Sequence, residues 1–221
     1  MHKRMLRGLI FDLDGTLADS LSLTWDAFNH GFRSVGSIDR TPKEIMAHFG
    51  TGEGEIFAKM IGRDRAAEAY DACRAYTETH VGRVPLHEGV PELLHRLRQA
   101  EVPLAIVTGR SWDTTEIILD HHGMKDWFMT VVAHDHVASS KPSPEGIHLA
   151  LSRMKLNPED ILYVGDSHFD IRAAHNAGAG SVAALWDLLS TRDNLAPHLP
   201  HYWAEKPSDV WNLWSEHRVQ R

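Results

Sequence analysis

Short, continuous apolar runs recur along the chain, and helical patterns separate them. Runs of this kind are typical of strands buried on both faces of a parallel sheet. The pattern predicts five strands, at Leu9–Phe11, Val102–Thr108, Met129–Ala133, Ile161–Gly165 and Ser181–Trp186. Helices are predicted at Pro91–Arg98, at Thr114–His122, from Ser143-Pro144 onward and at Phe169–Ala177. Strands that alternate with helices favour right-handed crossovers, and therefore an α/β fold with a doubly wound parallel sheet.

One stretch breaks this alternation, because residues 18–85 contain helical patterns and no predicted strand. An apolar stripe at helical spacing is formed by Leu21, Trp25, Phe28 and Phe32. Thr41–Glu44 has the pattern of a capping box, and Asp64–Val81 predicts a further helix. We therefore predict a core of residues 1–17 and 86–221, with a helical module of residues 18–85 inserted between its first two strands. In the tail, Ser208–His217 predicts a last helix, and no element is predicted within Asp187–Tyr202.

Charge and composition exclude several classes of partner. The chain of 221 residues has 23 Lys and Arg against 30 Asp and Glu, a formal charge of −7. An acidic balance disfavours general nucleic-acid binding, which depends on neutralising phosphates. The apolar runs are far shorter than a membrane span of ~18 residues. The basic Met1–Arg7 leads into only a brief apolar run, so no secretory segment is expected, and the single cysteine, Cys73, suits the cytoplasm.

Polar side chains stand where the predicted strands end. In an open parallel sheet, ligands bind at the carboxyl ends of the strands, near the point where the strand order reverses. Those ends carry four carboxylates, a hydroxyl and an ammonium group: Asp12 and Asp14, Thr108 with Gly109, Lys141, and Asp166 with Asp170. Carboxylates held this close repel one another unless a cation is present, and oxygen ligands of this type suit Mg²⁺. A carboxylate can also attack phosphorus and form an aspartyl-phosphate.

Four segments, in order, resemble the signatures of the haloacid dehalogenase-like phosphohydrolases. They are Phe11-Asp-Leu-Asp-Gly-Thr-Leu17, Ile106-Val-Thr-Gly109, Lys141-Pro142 and Gly165-Asp-Ser-His-Phe-Asp170. The resemblance covers nearly the whole chain and implies a Rossmann-like core. The inserted module is similar to the helical cap of one branch of that family. Within this branch the chain resembles the phosphoglycolate phosphatases. The residues that carry this likeness are Phe49–Phe57, which resemble a segment of the cap of those enzymes.

The resemblance also implies roles for the site residues. Asp12 is implied as the nucleophile and Asp14 as the general acid and base. Mg²⁺ is implied to bind Asp12, the main-chain carbonyl of Asp14 and Asp166. Thr108 and the Gly109 N–H are implied to bind the phosphoryl oxygens, and Lys141 to neutralise the nucleophile and the phosphate. Asp170 is implied to orient Lys141 or a metal-bound water.

These expectations combine into a Mg²⁺-dependent phosphatase acting on a small phosphorylated metabolite, with phosphoglycolate as the first candidate. The module is expected to close over the core, hinged near Ala18–Leu21 and Arg83–Glu88, in a monomer or small homo-oligomer. A phosphosugar mutase of the same family stays open as an alternative, and so does a phospho-accepting signalling or binding module. A dehalogenase is disfavoured because Asp14 is present. The His134-x-His136 pair lacks a third ligand at zinc spacing, and Cys73 is expected to be a small core residue.

Overall fold

A six-stranded parallel sheet forms the centre of the molecule. The structure, a computed structural model, describes residues 5–218. The strand order is β3-β2-β1-β4-β5-β6, and every neighbouring pair is parallel. The strands are β1 Gly8–Phe11, β2 Leu104–Val107, β3 Thr130–Val132, β4 Ile161–Gly165, β5 Gly180–Ala184 and β6 Tyr202–Ala204. The order reverses at β1, so the predicted α/β, Rossmann-like fold is confirmed, and with it a crevice between β1 and its neighbours.

Alternate residues of the strands enter two hydrophobic cores, one on each face of the sheet. Leu9 and Phe11 of β1 pack on one face, whereas Ile10 packs on the other. The first face is covered by α5 Val90–Gln99, α6 Trp112–His121 and α10 Pro207–His217, and the second by α7 Glu145–Met154 and α8 His168–Asn176. Because both faces are covered, the strands are apolar throughout rather than alternating, as their sequences indicated.

The first four of the α-helices between β1 and β2 form what we call the helical insertion, whereas α5 packs on the sheet. They are α1 Leu21–Ser34, α2 Pro42–Met46, α3 Glu53–Ile61 and α4 Arg63–His80. The insertion has its own core, which includes Phe28, Phe32 and Cys73. At the start of α2, the Glu44 N–H donates to Thr41 Oγ1 at 3.3 Å and the Thr41 N–H donates to the Glu44 carboxylate at 2.8 Å. The capping box predicted at Thr41 is therefore present, and Cys73 is buried as expected.

The chain leaves and re-enters the core at adjacent points. The Asp19 N–H donates to the Pro85 carbonyl at 2.9 Å, and the His87 N–H donates to the Leu17 carbonyl at 3.1 Å. Between these bonds, Ala18 pairs with Leu86 in antiparallel orientation. The two connections of the insertion are thus tied together as a short ladder. The domain boundaries at 17/18 and 85/86 stay predictions, and both fall within this ladder.

Several predicted elements differ in detail. The strand β6 was not predicted, and α9 Arg192–Leu195 also lies in the tail for which no element was expected. The strand predicted to run to Trp186 ends at Ala184, and α7 begins at Glu145, so Pro144 precedes the helix instead of occupying its first turn. Residues 1–4 and 219–221, which the prediction assigned to the core, lie outside the described residues. Within 5–218, no helix is both long and apolar enough to cross a membrane.

Candidate active site

A cavity of about 510 Å³ opens at the carboxyl ends of the strands, beneath the helical insertion. Its lining includes six of the seven residues predicted for the site: Asp12, Asp14, Thr108, Gly109, Lys141 and Asp166. The seventh, Asp170, is fully buried and contacts Lys141. The structure therefore brings together side chains from the ends of β1, β2 and β4 and from the loop after β3. Their individual roles stay predictions.

The Lys141 ammonium group lies between two carboxylates. Its Nζ atom is 2.9 Å from Asp12 Oδ1, and it donates to Asp170 Oδ1 at 2.6 Å and to the Tyr163 hydroxyl at 3.3 Å. The Tyr163 hydroxyl donates in turn to the Val107 carbonyl at 2.8 Å. Burial lowers the pKa of Lys141, but the charges of Asp12 and Asp170 outweigh it and hold this pKa well above its usual range. The lysine is therefore a fixed positive charge beside Asp12.

Three carboxylates share this single ammonium group. Asp12, Asp166 and Asp170 each offer an oxygen, and these oxygens lie within 4.8 Å of one another. Asp12 is buried, and its Oδ1 is paired with the Lys141 ammonium group at 2.9 Å. Burial raises the pKa of Asp12 to about 7, while burial and the charges of Asp170 and Asp12 raise that of Asp166. Three carboxylates around one ammonium group leave an excess of buried negative charge, which fits a hard divalent cation.

The turn after β1 brings Asp14 and Asp166 into the same site. Gly15 has a φ of +76°, and a Cβ at this position would lie 2.5 Å from Asp166 Oδ2. Only glycine therefore fits this turn without displacing the carboxylate. Thr16, the next residue, donates from its hydroxyl to Asp166 Oδ1 at 2.9 Å. The Asp-Gly-Thr sequence thus orients one aspartate at the end of β1 and a second at the end of β4.

Arg110 forms a bidentate salt bridge with the Asp14 carboxylate, and the sequence did not predict this contact. Its Nε donates to Asp14 Oδ2 at 3.1 Å and its Nη2 to Asp14 Oδ1 at 2.9 Å. The Ser20 hydroxyl donates to the same carboxylate. Burial raises the pKa of Asp14, but the charge and hydrogen bonds of Arg110 and the bond from Ser20 bring it below its ordinary value. Asp14 is therefore held ionised in this arrangement.

Glu53, at the first position of α3, connects the insertion to the loop after β2. Its buried carboxylate accepts hydrogen bonds from the Ser111 N–H at 2.7 Å and from the Thr114 hydroxyl at 2.7 Å. Its Oε1 also lies 3.7 Å from Arg110 Nη1. The Tyr70 hydroxyl of the insertion also donates a hydrogen bond to the Asp113 carboxylate of the core. The insertion is thus fastened to the loop that carries Thr108 and Gly109.

Backbone hydrogen bonds fix two of the site side chains. Thr108 Oγ1 accepts a hydrogen bond from the Arg110 N–H at 3.2 Å in the loop before α6, so Thr108 does not cap that helix, whose N-cap is Ser111. Asp170 accepts from the Ser167 N–H at 3.0 Å and completes the capping box of α8. For Asp170, a structural role at the start of the helix and a contact with Lys141 are therefore compatible.

Comparison with known proteins gives consistent relatives. A family model described as haloacid dehalogenase-like hydrolase matches residues 9–184. The chain is 31% identical over 214 residues to pyrophosphatase PpaX of Bacillus velezensis, covering 96% of this chain and 98% of that one. A crystal structure of a predicted phosphoglycolate phosphatase from Haemophilus somnus superposes with a TM-score of 0.82 at 23% identity, covering 94% and 97%. CbbY from Rhodobacter sphaeroides in complex with phosphate superposes with a TM-score of 0.79 at 24% identity, covering 93% and 96%.

The chain belongs to the haloacid dehalogenase-like hydrolases. The family predicted from the four signatures is therefore confirmed, and so is the prediction of an enzyme of the phosphatase type. The two solved structures establish the shared fold.

Proposed function

We propose that this protein is a Mg²⁺-dependent phosphatase that hydrolyses a small phosphomonoester through an aspartyl-phosphate intermediate. The observation that carries the proposal is the buried Asp12 carboxylate, which lines the cavity with its Oδ1 2.9 Å from the Lys141 ammonium group. The carboxylate and its neutralising cation are thus both in place for an incoming phosphoryl group. Asp12 is therefore the proposed nucleophile.

The residues around Asp12 supply charge and donors for the transferring phosphoryl group. Lys141 neutralises the nucleophile and the phosphate, and Asp170 orients Lys141 through the 2.6 Å contact. The Thr108 hydroxyl and the Gly109 N–H, at the carboxyl end of β2, bind the phosphoryl oxygens. Fixed donors aimed at developing charge lower the barrier because they need no reorganisation during the reaction.

Asp14 handles the proton in both half-reactions. In the first, it protonates the leaving oxygen; in the second, it takes a proton from the water that hydrolyses the aspartyl-phosphate. Arg110 and Ser20 orient its carboxylate. Because Arg110 favours the ionised form, the arrangement in this structure suits the second half-reaction, in which Asp14 accepts the proton.

The acidic cluster fits a Mg²⁺ ion, which Asp12, Asp166 and the main-chain carbonyl of Asp14 would hold. When bound, the ion neutralises the phosphoryl oxygens and the clustered carboxylates. The helical insertion acts as a cap over the cavity, where it excludes water and strengthens the electrostatic interactions beneath it. Pivoting near Ala18–Leu21 and Arg83–Glu88, a cytoplasmic location, and a monomer or small homo-oligomer stay predictions.

A phosphate-release screen over small phosphomonoesters, with Mg²⁺ and with EDTA, tests the proposal. We expect repeated turnover with Mg²⁺ and loss of release in EDTA. Phosphoglycolate, from the sequence resemblance, and pyrophosphate, from the name of the PpaX relative, both belong in the screen. Isomerised product with little free phosphate would favour the mutase alternative. A single stable phosphorylation without turnover would favour a phospho-accepting module.

A further inference from the structure

We propose that the cavity selects phosphomonoesters whose leaving group is uncharged and largely apolar, and that it discriminates against substrates carrying a second anionic group. The inference rests on the proposed phosphatase function and narrows its substrate class. It predicts that phosphoglycolate, with its carboxylate, and pyrophosphate, with its second phosphate, are poor substrates. Three features carry it: the apolar lining of the cavity, the pairing of its cations and the position of Glu53.

Much of the cavity is lined by hydrocarbon from both the insertion and the core. These side chains are Phe28, Met46, Phe49 and Ile56 of the insertion, with Phe169 and Leu189 of the core. Trp25 stacks on Phe49 with ring centroids 5.5 Å apart and so fixes one wall. A volume of about 510 Å³ falls in the ~300–1,000 Å³ range of sites for organic ligands. The cavity therefore has the volume and the apolar surface for a leaving group of moderate size.

The cations of the cavity are already engaged. Among residues 5–218, the Lys and Arg side chains that line it are Lys141 and Arg110. Lys141 contacts Asp12 and Asp170, as described above. Arg110 is buried, binds Asp14 through Nε and Nη2, and donates from Nη2 to the Thr24 hydroxyl at 2.7 Å. Its remaining terminal nitrogen, Nη1, faces Glu53 at 3.7 Å.

His168 also lines the cavity, and its ring stacks on that of His198 with centroids 5.2 Å apart. Its side chain can offer a hydrogen bond to a leaving group.

A second anion on the substrate would therefore meet Glu53 and Asp14 without a free Lys or Arg side chain to pair with. Burying an unpaired charge is strongly unfavourable, and like charges nearby add repulsion. An uncharged hydrocarbon group in the same place is removed from water against Phe49, Met46 and their neighbours, which is favourable. Selectivity would then come both from attraction to one class of leaving group and from rejection of the other.

A matched pair of substrates tests this directly: benzyl phosphate and 4-carboxybenzyl phosphate, which share the reacting oxygen and differ by one carboxylate. With the full chain and Mg²⁺, we expect kcat/KM to be at least ~10-fold higher for benzyl phosphate, a typical effect of an unpaired buried charge. Phosphoglycolate and pyrophosphate should fall below it as well. Equal rates for the pair, or a preference for any of the anionic compounds, would overturn the inference and leave the phosphatase function standing. Absence of phosphate release from every phosphomonoester would overturn the proposed function itself.

A variant that adds a cation tests the electrostatic reason. Met46→Lys places an ammonium group in the lining, and we expect it to reduce the benzyl to carboxybenzyl ratio at least ~5-fold, because the carboxylate gains a partner. Ile38→Lys adds the same charge at an exposed position of the insertion, 73% accessible and outside the lining, and should leave the ratio unchanged. An unchanged ratio in Met46→Lys, or an equal change in Ile38→Lys, would contradict the electrostatic explanation. The comparison of substrates with the unmodified protein stands even if a variant does not fold.

Discussion

Glu53 of the helical insertion accepts a 2.7 Å hydrogen bond from the backbone N–H of Ser111 in the core loop after β2. The same carboxylate lies beside Arg110, which binds Asp14. A continuous series of polar contacts therefore runs from the insertion to the proposed general acid and base. The position of the insertion and the orientation of Asp14 are physically linked through Arg110.

Glu53→Gln should reduce kcat/KM by about 10- to 100-fold, because the loss of the charge weakens buried bonds worth ~1–3 kcal/mol. Both kcat and KM should change if the contact holds the insertion over a bound substrate. Steady-state kinetics with a hydrolysed phosphomonoester measure this split. Glu55→Gln is the matched control, since Glu55 lies on the same helix and its ion pair with Arg63 is exposed and 3.7 Å long. Similar kinetics in the two variants would argue against the link.

Asp12→Asn should abolish phosphate release, with kcat reduced by at least ~1,000-fold, because the amide is not a nucleophile toward phosphorus. The measurement is phosphate release with Mg²⁺, alongside trapping of a phosphorylated protein with the unmodified chain. Asp64→Asn, at an exposed position in the first turn of α4, is the control and should retain full activity. Substantial turnover by Asp12→Asn would rule out Asp12 as the nucleophile.

Two glycines of the insertion should respond oppositely to alanine. In α1, a Cβ on Gly31 would lie 2.4 Å from the Ala69 carbonyl oxygen and 2.7 Å from Phe57, so Gly31→Ala should destabilise the protein by ~1–3 kcal/mol. In α3, a Cβ on Gly54 would meet no atom within 4 Å, and Gly54→Ala should be neutral or stabilise by up to ~1 kcal/mol. Urea unfolding of both variants measures the difference. A harmless Gly31→Ala would show that α1 and α4 pack less closely than described.

His122 should make stability depend on pH. Its Nε2 donates to the Val84 carbonyl at 2.9 Å, and burial, together with the charge of His121, lowers its pKa despite this bond. The unfolded chain therefore takes up the proton first as the pH falls, and the contribution of His122 is lost below its unfolded pKa of ~6.5. The difference in unfolding free energy between the unmodified protein and His122→Gln should be larger at about pH 8 than at about pH 5.5. A difference that is constant, or that grows toward pH 5.5, would contradict this sign.

The fold was largely predictable because its strands are buried on both faces and appear as short apolar runs between helices. β6 was missed because Tyr202–Ala204 is only three residues long, lies at the edge of the sheet and is half-exposed, so its pattern is weak. Asp12, Asp14, Thr108, Gly109 and Asp166 all line the cavity because each stands at or just beyond the end of a strand. Local sequence was sufficient for them.

The contacts of Asp14 were not predictable in the same way. Arg110 follows the Thr108-Gly109 pair directly, so a cation beside the signature was a usable signal, but its partner is 96 residues away. Glu53 meets Ser111 across 58 residues and only because the insertion lies against the core. No spacing within the chain encodes that approach. Such contacts depend on the tertiary arrangement, and a single sequence does not reveal it.

The paired connections at Ala18 and Leu86 bring both ends of the insertion to one point of the core. The Asp19 N–H donates to the Pro85 carbonyl, so the two ends of the insertion are hydrogen-bonded neighbours. A tight turn could therefore replace residues 20–84 without displacing β1 or α5. Asp12, Asp14, Lys141 and Asp166 all belong to the remaining chain, whereas Phe28, Met46, Phe49 and Glu53 would leave with the excised piece. In the proposed function, the reacting residues therefore lie in the retained chain and much of the substrate lining lies in the insertion. An exchanged insertion would have to replace Ser20, Thr24 and Glu53 as well, because they hold Asp14 directly or through Arg110.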